Sequence, residues 1–247
     1  MAAAVLVIAV TFSVIWCAHA GLATSEPMPK AAPGQAPAVG ALFTVNSRGQ
    51  LQQHYCSASV VDSPAGDLVL TAAHCISGHV PGSIAFVPDY SHGRAPYGAW
   101  VVTRMIVDQG WQEADDPDDD FAFLVVSQPG SKTTLEALTG AETIGVNAVS
   151  GSVTVYGYPD GTDELIACTN TPLPYGATQL MFDCAGYYNG TSGGPFVTKV
   201  NSSTGVGTVI GVIGGYEQGG NTPSVSYAAR FRANMAALYQ TALAQSG

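Results

Sequence analysis

The sequence predicts an all-β protein made of two similar β units. Short apolar or alternating runs of strand length recur between Gly and Pro turn signals, while helical periodicity is almost absent. Six such runs lie before residue 127, and six more lie after residue 151. Many short strands of this kind indicate a sandwich or barrels, and the repeated count favours two units of one type.

The strand candidates divide the chain into its expected parts. Those of the first unit are VGALFTV, HYCSASVV, LVLT, IAFVP, AWVVTRMIV and FAFLVV. Those of the second unit are SVTVYGY, LIACTN, QLMFDC, PFVTKV, VGTVIGVIGG and SVSYAA. We therefore assign residues 39–130 to the first unit, residues 131–150 to a connection, and residues 151–247 to the second unit with a C-terminal helix.

The C-terminal tail is the one place where a helix is predicted, because its apolar residues share one helical face. The residues on this face are Phe231, Met235, Leu238, Tyr239 and Ala242. The opposite face is not basic, so we expect the helix to pack on the second unit and not to lie on a membrane surface.

The N-terminal residues have the pattern of a secretory signal. Residues 1–20 contain an apolar run followed by AHA at 18–20, the small-residue pattern of a signal-peptidase site. A membrane anchor and a lipoprotein signal at Cys17 are the alternatives, but the run is shorter than the ~20 residues of a membrane span. Residues 21–38 are rich in Pro, Ala and Gly without periodicity, so we expect a disordered pro-segment or linker. The sequence thus predicts a secreted, extracellular protein that is free of the membrane after signal cleavage.

Charge and composition exclude one class of partner. Eight Lys and Arg against eighteen Asp and Glu give a net charge of −10, which is the wrong sign for binding a phosphate backbone. Only 11% of the residues are charged, so the surface must consist largely of Ser, Thr, Asn, Gln and Gly. We therefore expect no nucleic-acid partner.

Four cysteines remain after the predicted signal: Cys56, Cys75, Cys168 and Cys184. An even number in an exported chain indicates two disulfides, although four cysteines allow three pairings. One close pair lies in each half of the chain, and this spacing favours Cys56 with Cys75 and Cys168 with Cys184. A zinc site is the alternative, but no CxxC and no matching His spacing accompanies these residues.

Two segments of the first unit contain residues that could act together. His74 follows an apolar strand in VLTAAHC, directly beside Cys75, and Asp120 directly precedes the apolar run FAFL. Burial of that run would carry Asp120 into the interior, where a carboxylate needs a partner such as a histidine N–H. Taken singly, His74 has a structural explanation, and the acidic loop 115–120 could be solvated or bind calcium weakly.

Ser192 lies between glycines in NGTSGGP, in the second unit. A serine in such a turn is common for backbone reasons alone. The glycines, however, would let a substrate carbonyl approach the backbone N–H groups of Gly190 and Ser192, which could then bind an oxyanion.

These three segments resemble the trypsin/chymotrypsin-like serine protease superfamily. Its signatures are a TAAHC box, a D-[hydrophobic]-A-[hydrophobic]-L segment and a G-x-S-G-G-P box in that order, and all three occur here. The resemblance implies two six-stranded antiparallel β-barrels with the site in the cleft between them. It also implies that the Cys56–Cys75 disulfide braces the histidine loop.

The resemblance assigns a role to each candidate. Ser192 would be the nucleophile, His74 the general base and then acid, and Asp120 the residue that fixes the imidazole tautomer. Gly190 and Ser192 would form the oxyanion hole. The implied reaction is hydrolysis of peptide bonds in protein or peptide substrates through an acyl-enzyme, with no metal and no organic cofactor.

Thr191 is a departure from the digestive members, which have Asp at this position. In those enzymes the carboxylate pairs with a new α-amino group released by cleavage after a basic residue. The nearest match to such a start here is APAVGALF, which has no basic residue before Val39. An uncharged residue at this position resembles secreted bacterial members, including the V8/glutamyl-endopeptidase-like group. The activation mechanism of the predicted zymogen stays open.

The expected pocket contains no acidic residue at its base. The residues that we assign to the pocket and its edge are Gly186, Tyr187, Ile213, Gly214, Gly215 and Tyr216. Arg or Lys preference is therefore disfavoured. Glutamyl endopeptidases have a histidine at the position of Ile213, so glutamate preference is unsupported, and an apolar or aromatic side chain is favoured.

The sequence thus predicts a secreted, monomeric serine endopeptidase of bacterial type. A catalytically silent protease-like binding module is the alternative, but all three triad residues are present. An esterase is disfavoured, because the serine box lacks the G-x-S-x-G elbow.

Overall fold

The computed structural model describes residue 1 and residues 27–32, 34–148 and 151–247. The predicted signal lies outside the described residues apart from Met1. The strands are β1 (Lys30–Ala31), β2 (Val39–Val45), β3 (Leu51–Val60), β4 (Leu68–Thr71), β5 (Ile84–Pro88), β6 (Trp100–Val107), β7 (Ala122–Ser127), β8 (Thr143–Ile144), β9 (Val153–Gly157), β10 (Ile166–Asn170), β11 (Leu173–Tyr175), β12 (Gln179–Asp183), β13 (Pro195–Thr198), β14 (Thr208–Val212) and β15 (Val225–Ala229). The α-helices are α1 (Gln109–Ala114), α2 (Leu135–Thr139) and α3 (Ala233–Gln245), and 3-10 turns span His74–Ile76, Pro117–Asp119 and Tyr216–Gly219.

The first unit is a closed six-stranded barrel. Its strands pair antiparallel in the order β2-β3-β4-β7-β6-β5, with β5 returning to β2. Large side chains such as Phe86 and Phe123 are fully buried in its core. All six strands predicted by the apolar runs of this unit are present, and the predicted all-β class is confirmed.

The second unit consists of two sheets that meet at one bend. One sheet has the order β1-β10-β9-β13-β14-β8, and the other has the order β11-β12-β15. The chain turns out of β14 at Ile213, so that Gly214 N donates to Tyr227 O of β15 at 3.0 Å and links the sheets. The three strands that the sequence did not predict, β1, β8 and β11, have only two or three residues each, too few to show periodicity.

The C-terminal helix α3 is present, but the expectation that it packs on the second unit was wrong. Phe231 lies 5.8 Å from Phe121 between ring centroids, and Tyr239 lies 5.5 Å from Phe123. Met235 is fully buried in the same cluster as the first barrel's core. The apolar face therefore covers β6 and β7, and the C-terminus of the chain returns to the first unit.

The segment before the first barrel is also more ordered than its composition predicts. The strand β1 pairs antiparallel with β10, and Ala32 N donates to Leu165 O at 2.9 Å. Ala36 and Ala38 are fully buried. The expectation of disorder was therefore wrong for residues 27–32 and 34–38, because β1 pairs with β10 and the side chains of Ala36 and Ala38 pack into the protein's core.

Both expected disulfides are present, Cys56–Cys75 in the first barrel and Cys168–Cys184 in the second unit. Within the residues that the structure describes, no helix is long and apolar enough to cross a membrane.

Glu142 is a buried carboxylate in the connection between the two units. Its Oε2 accepts a hydrogen bond from Gly207 N at 2.5 Å, and its Oε1 has no partner within the described part of the chain. Burial raises the pKa of Glu142 from its ordinary 4.5 to about 7. The folded protein therefore binds this proton more tightly than the unfolded chain does, and the free energy of unfolding falls as pH rises from about 4.5 to about 7.

Replacing Glu142 with glutamine is expected to remove this pH dependence. Glutamine has the same shape and no charge, so the variant should gain up to about 3 kcal/mol over the wild type above pH 7 and little near pH 4. Denaturant unfolding between about pH 4 and about pH 9 measures the difference. Glu113→Gln, at an exposed position on α1, is the matched control. A Glu142→Gln profile parallel to that of the wild type would contradict the assignment.

Candidate active site

His74 and Asp120 come from neighbouring strand ends of the first barrel. His74 begins a 3-10 turn just after β4, and Asp120 lies just before β7. Because β4 and β7 are antiparallel, with Thr71 opposite Ala122, both side chains arise at the same end of the barrel. His74 Nδ1 donates to Asp120 Oδ2 at 2.8 Å. The other ring nitrogen, Nε2, is then the acceptor, on a side chain that lines the cleft between the two units.

Asp120 is a completely buried carboxylate with three N–H donors. Besides the imidazole, His74 N donates to Oδ1 at 2.9 Å, and Gly215 N donates to Oδ2 at 2.8 Å. A buried carboxylate without such donors would be strongly destabilising. The three bonds fix both oxygens, and through them the orientation of the imidazole ring.

Gly214 and Gly215 lie beneath this carboxylate because they have no side chains. A Cβ on Gly214 would lie 2.9 Å from Asp120 Oδ2, and one on Gly215 would lie 2.2 Å from Gln179 Oε1. Gly215 also has a φ of +77°, which favours glycine. The sequence assigned these two residues to the edge of the pocket; the structure places them against Asp120.

The rest of the acidic loop is held by amide side chains. Gln179 Nε2 donates to Asp118 Oδ1 at 2.6 Å, and Asn234 Nδ2 donates to Asp119 Oδ1 at 2.6 Å. Burial raises the pKa of Asp119, and the charges of neighbouring aspartates add to this shift. Within the described residues, no three carboxylates of this loop lie close enough together to share a metal ion. Cys56, His74 and Cys75 do lie close together elsewhere in the described chain, but the two sulfurs are joined in a disulfide.

Ser192 lies in the same cleft, in the loop that precedes β13. The cleft has a volume of about 830 Å³ and is lined by residues of both units. Among the described residues, Ser192 Oγ forms no hydrogen bond with His74 Nε2. Nε2 instead lies 3.7 Å from Cys75 Sγ. Such bonds are commonly long in the absence of substrate and form as the site is occupied.

The backbone around Ser192 leaves two N–H groups free. Across the described residues, neither Gly190 N nor Ser192 N donates a hydrogen bond, whereas Gly193 N and Gly194 N both do. Gly190 has a φ of +92°, and a Cβ there would lie 2.6 Å from Tyr158 O. The geometry thus requires glycine at Gly190 and leaves two donors in the cleft, as an oxyanion hole needs.

Thr191 closes this loop locally. It is 3% exposed, and its Oγ1 donates to Tyr188 O at 2.8 Å. Its Cβ lies against Gly157, where an added Cβ would be only 2.8 Å away. A neutral hydroxyl bonded within the loop thus occupies the position where the digestive members have a carboxylate.

The cleft wall contains only some of the residues assigned to the pocket. Tyr187 and Ile213 line the cleft and are both buried. Tyr187 Oη donates to Val155 O at 2.6 Å, and burial raises the pKa of this phenol. Gly186 and Tyr216 do not line the cleft: an added Cβ on Gly186 would meet Pro29, and Tyr216 packs on Tyr175 and Tyr227.

Several lining residues were missed by sequence reasoning. They are Tyr55, His79, Asp160, Tyr188, Asn189, Glu217, Gln218, Gly219, Gly220, Asn221, Thr222, Pro223 and Ser226. Most belong to loops with no catalytic motif, so no local pattern in the sequence identifies them. The exceptions are Asn189, which begins NGTSGGP, and Tyr55, which directly precedes the cysteine of the disulfide that braces the histidine loop.

A closed β-barrel and a second β unit that share a cleft, with a His–Asp pair and a glycine-flanked serine, define a chymotrypsin-like serine protease. The chain belongs to the trypsin family: the family description Trypsin matches residues 28–234. The predicted class of enzyme, a serine endopeptidase that acts on peptide substrates, is thereby confirmed. No curated protein shows significant similarity to the chain.

Solved structures with this fold include bacterial proteases. Protease Anisep from Arthrobacter nicotinovorans is 27% identical, with a TM-score of 0.71, and the match covers 87% of this chain and 99% of that one. The thermostable serine protease AL20 from an extremophilic microorganism is 26% identical, with a TM-score of 0.71, covering 85% and 99%. A Glu endopeptidase structure shares the fold at 15% identity and a TM-score of 0.66, covering 90% and 99%. The predicted resemblance to bacterial members is confirmed.

Proposed function

We propose that this protein is a secreted endopeptidase that hydrolyses peptide bonds through Ser192, His74 and Asp120. The observation that carries the proposal is the pairing of His74 with a buried, triply bonded Asp120 in the cleft that holds Ser192. The two disulfides, Cys56–Cys75 and Cys168–Cys184, support an oxidising, extracellular location.

The reaction would proceed in two halves. Ser192 Oγ attacks the scissile carbonyl while His74 Nε2 accepts its proton, and the C–N bond then breaks as Nε2 returns that proton to the leaving amine. A water molecule attacks the acyl-enzyme by the same route, which releases the acid and restores Ser192. In both halves, Gly190 N and Ser192 N donate to the oxyanion, at about 3 kcal/mol per donor.

The pocket favours an apolar or aromatic side chain on the acyl side. Two of the residues that we assign to it, Tyr187 and Ile213, line the cleft and are buried, and Ile213 is apolar where glutamyl endopeptidases have a histidine. The exposed Glu217 belongs to the turn that follows the pocket edge, not to a buried base. We therefore expect cleavage after large apolar residues.

Maturation would remove the signal and the residues that precede Pro27, and no more of the chain. Ala185 N donates to Pro27 O at 3.1 Å, and β1 is part of the second unit's sheet. Because these contacts support the disulfide loop that leads to Tyr187, we propose that residues 27–38 stay in the mature enzyme. Thr191 already closes the serine loop, so no charged new N-terminus is required.

An organophosphonate that labels active serines tests the proposal. The wild type should be labelled stoichiometrically at Ser192, whereas Ser192→Ala should not be labelled. Ser203→Ala, in an exposed loop, is the control and should be labelled like the wild type. Digestion of a peptide library by the same protein then reports the acyl-side preference. A folded wild type that neither reacts nor cleaves would instead establish the catalytically silent binding module.

A further inference from the structure

The cleft contains acidic residues without any basic ones. Among its lining residues, Asp160 and Glu217 are the charged side chains, apart from the histidines, and neither Lys nor Arg is present. Carboxylates that line a cleft without compensating cations attract positively charged ligands. The two acids lie on different elements, Asp160 in the loop after β9 and Glu217 in the turn after β14.

Asp160 belongs to a loop that is fixed by the first barrel. His54 Nε2 lies 2.8 Å from Thr162 O, and Tyr90 Oη donates to Asp163 Oδ1 at 2.9 Å. At the end of this loop, His92 Nε2 lies 2.7 Å from Glu164 Oε1. The loop therefore cannot move independently of the barrel that supplies His74, and Asp160 has a defined place in the cleft.

Asp160 is also joined to the serine loop, yet its carboxylate stays free. Asp160 N donates to Asn189 O at 2.6 Å, and Oδ1 lies where a Cβ on Gly190 would come within 2.5 Å. Within the described ranges its carboxylate accepts no hydrogen bond and forms no ion pair, although it is exposed. A free, exposed carboxylate on a fixed backbone is suited to bind a cation from the substrate.

The chemistry of His74 indicates which side of the cleft binds the leaving half of the substrate. Nε2 must deliver its proton to the leaving amine, so the leaving half of the substrate passes the group beside Nε2, which is Cys75 Sγ at 3.7 Å. Tyr55 directly precedes Cys56, the disulfide partner of Cys75, and His79 follows Cys75 by four residues. The rings of Tyr55 and His79 stack with their centroids 5.3 Å apart. Asp160 lies on this side of the cleft, because Tyr158, two residues before it, donates its N–H at 2.8 Å to Oγ of Ser57, the neighbour of Cys56.

We propose that Asp160 forms a leaving-side subsite for a cationic side chain, that of Lys or Arg shortly after the scissile bond. The stacked rings of Tyr55 and His79 would pack on the aliphatic stem of that side chain, while the carboxylate pairs with its charged end. This inference rests on the proposed function, because it takes Ser192 and His74 as the reacting groups.

Peptides that share one acyl half and differ only after the scissile bond test the subsite. With Lys, Gln or Glu at the first or second leaving-side position, the wild type should prefer Lys over Glu by about tenfold in kcat/KM at low ionic strength, and less in added salt. Asp160→Asn should reduce this ratio to near unity, and Asp160→Lys should invert it. Since the carboxylate also lies near Gly190, each variant is judged by its own ratio and not by its absolute rate.

Glu217→Gln is the matched control, because it removes the other acid that lines the cleft, in the turn that follows the pocket residue Ile213. It should leave the leaving-side Lys:Glu ratio at the wild-type value. A ratio that Asp160→Asn leaves unchanged would overturn the subsite, even though every enzyme cleaves. A wild type that neither cleaves any peptide nor reacts with the organophosphonate would instead overturn the proposed function. Failure of the subsite and failure of the proposed function are therefore distinguishable.

Discussion

Replacing Asp120 with asparagine is expected to lower kcat by about 10⁴-fold while the chain stays folded. With its carbonyl oxygen at the Oδ1 position, asparagine still accepts from His74 N, but its amide group then lies at the Oδ2 position, where its N–H groups clash with the N–H groups of His74 Nδ1 and Gly215. To avoid that clash, the imidazole must present Nδ1 as an acceptor and carry its proton on Nε2. His74 could then no longer accept the proton of Ser192, because the required nitrogen would already be protonated.

Asp118→Asn is the matched control for this change. Asp118 lies in the same acidic loop, and its Oδ1 accepts from Gln179, a bond that an asparagine oxygen can also accept. Steady-state kinetics, with thermal unfolding to verify the fold, should show near-normal turnover for Asp118→Asn and near-complete loss for Asp120→Asn. Comparable activity in the two variants would contradict the role given to Asp120.

The sequence predicted the strands and the triad candidates because these depend on local patterns. A run such as FAFLVV must be buried, and the residue at its start is carried to the barrel end with it. His74 and Asp120 could therefore be placed together before their pairing in space was known. The disulfides followed in the same way, since each joins two cysteines fewer than twenty residues apart.

The contacts that the sequence did not predict are those between distant segments. Gly215 was expected to face substrate, yet its N–H bonds Asp120, because the chain bends after β14 and no pattern encodes that bend. Helix α3 was expected on the second unit, since helical periodicity shows which face is apolar but not what it covers. Asp160 was missed for the same reason: its position depends on contacts with Tyr90 and His54 of the other unit.

Replacing Ser57 with alanine is expected to lower kcat by about ten- to a hundredfold with little change in KM. Ser57 is fully buried in β3, beside Cys56. Its backbone N donates to Ser192 O at 2.7 Å. Its Oγ donates to Gly190 O at 2.9 Å and accepts from Tyr158 N at 2.8 Å. One serine of the first barrel thus holds both ends of the segment that supplies the nucleophile and the oxyanion donors.

Alanine would keep the backbone bond to Ser192 and lose the two side-chain bonds. Gly190 O and Tyr158 N would then be buried without partners, at a cost of about 1–3 kcal/mol each. The loop can regain partners only by moving Gly190, and a displacement of about 1 Å in such a site costs about a hundredfold in rate. Because the oxyanion forms only during reaction, this loss should appear in kcat and leave substrate binding nearly intact.

Ser59→Ala separates this role from a general loss of stability. Ser59 lies two residues along the same strand and is equally buried, but its Oγ has no partner among the described groups. Its replacement should leave both kcat and thermal stability close to those of the wild type. A peptide aldehyde, whose adduct places an oxygen in the oxyanion hole, should bind more weakly to Ser57→Ala and normally to Ser59→Ala. Unchanged aldehyde affinity in Ser57→Ala would show that Ser57 serves the fold and not the site, because a purely structural loss lowers stability without affecting the oxyanion donors.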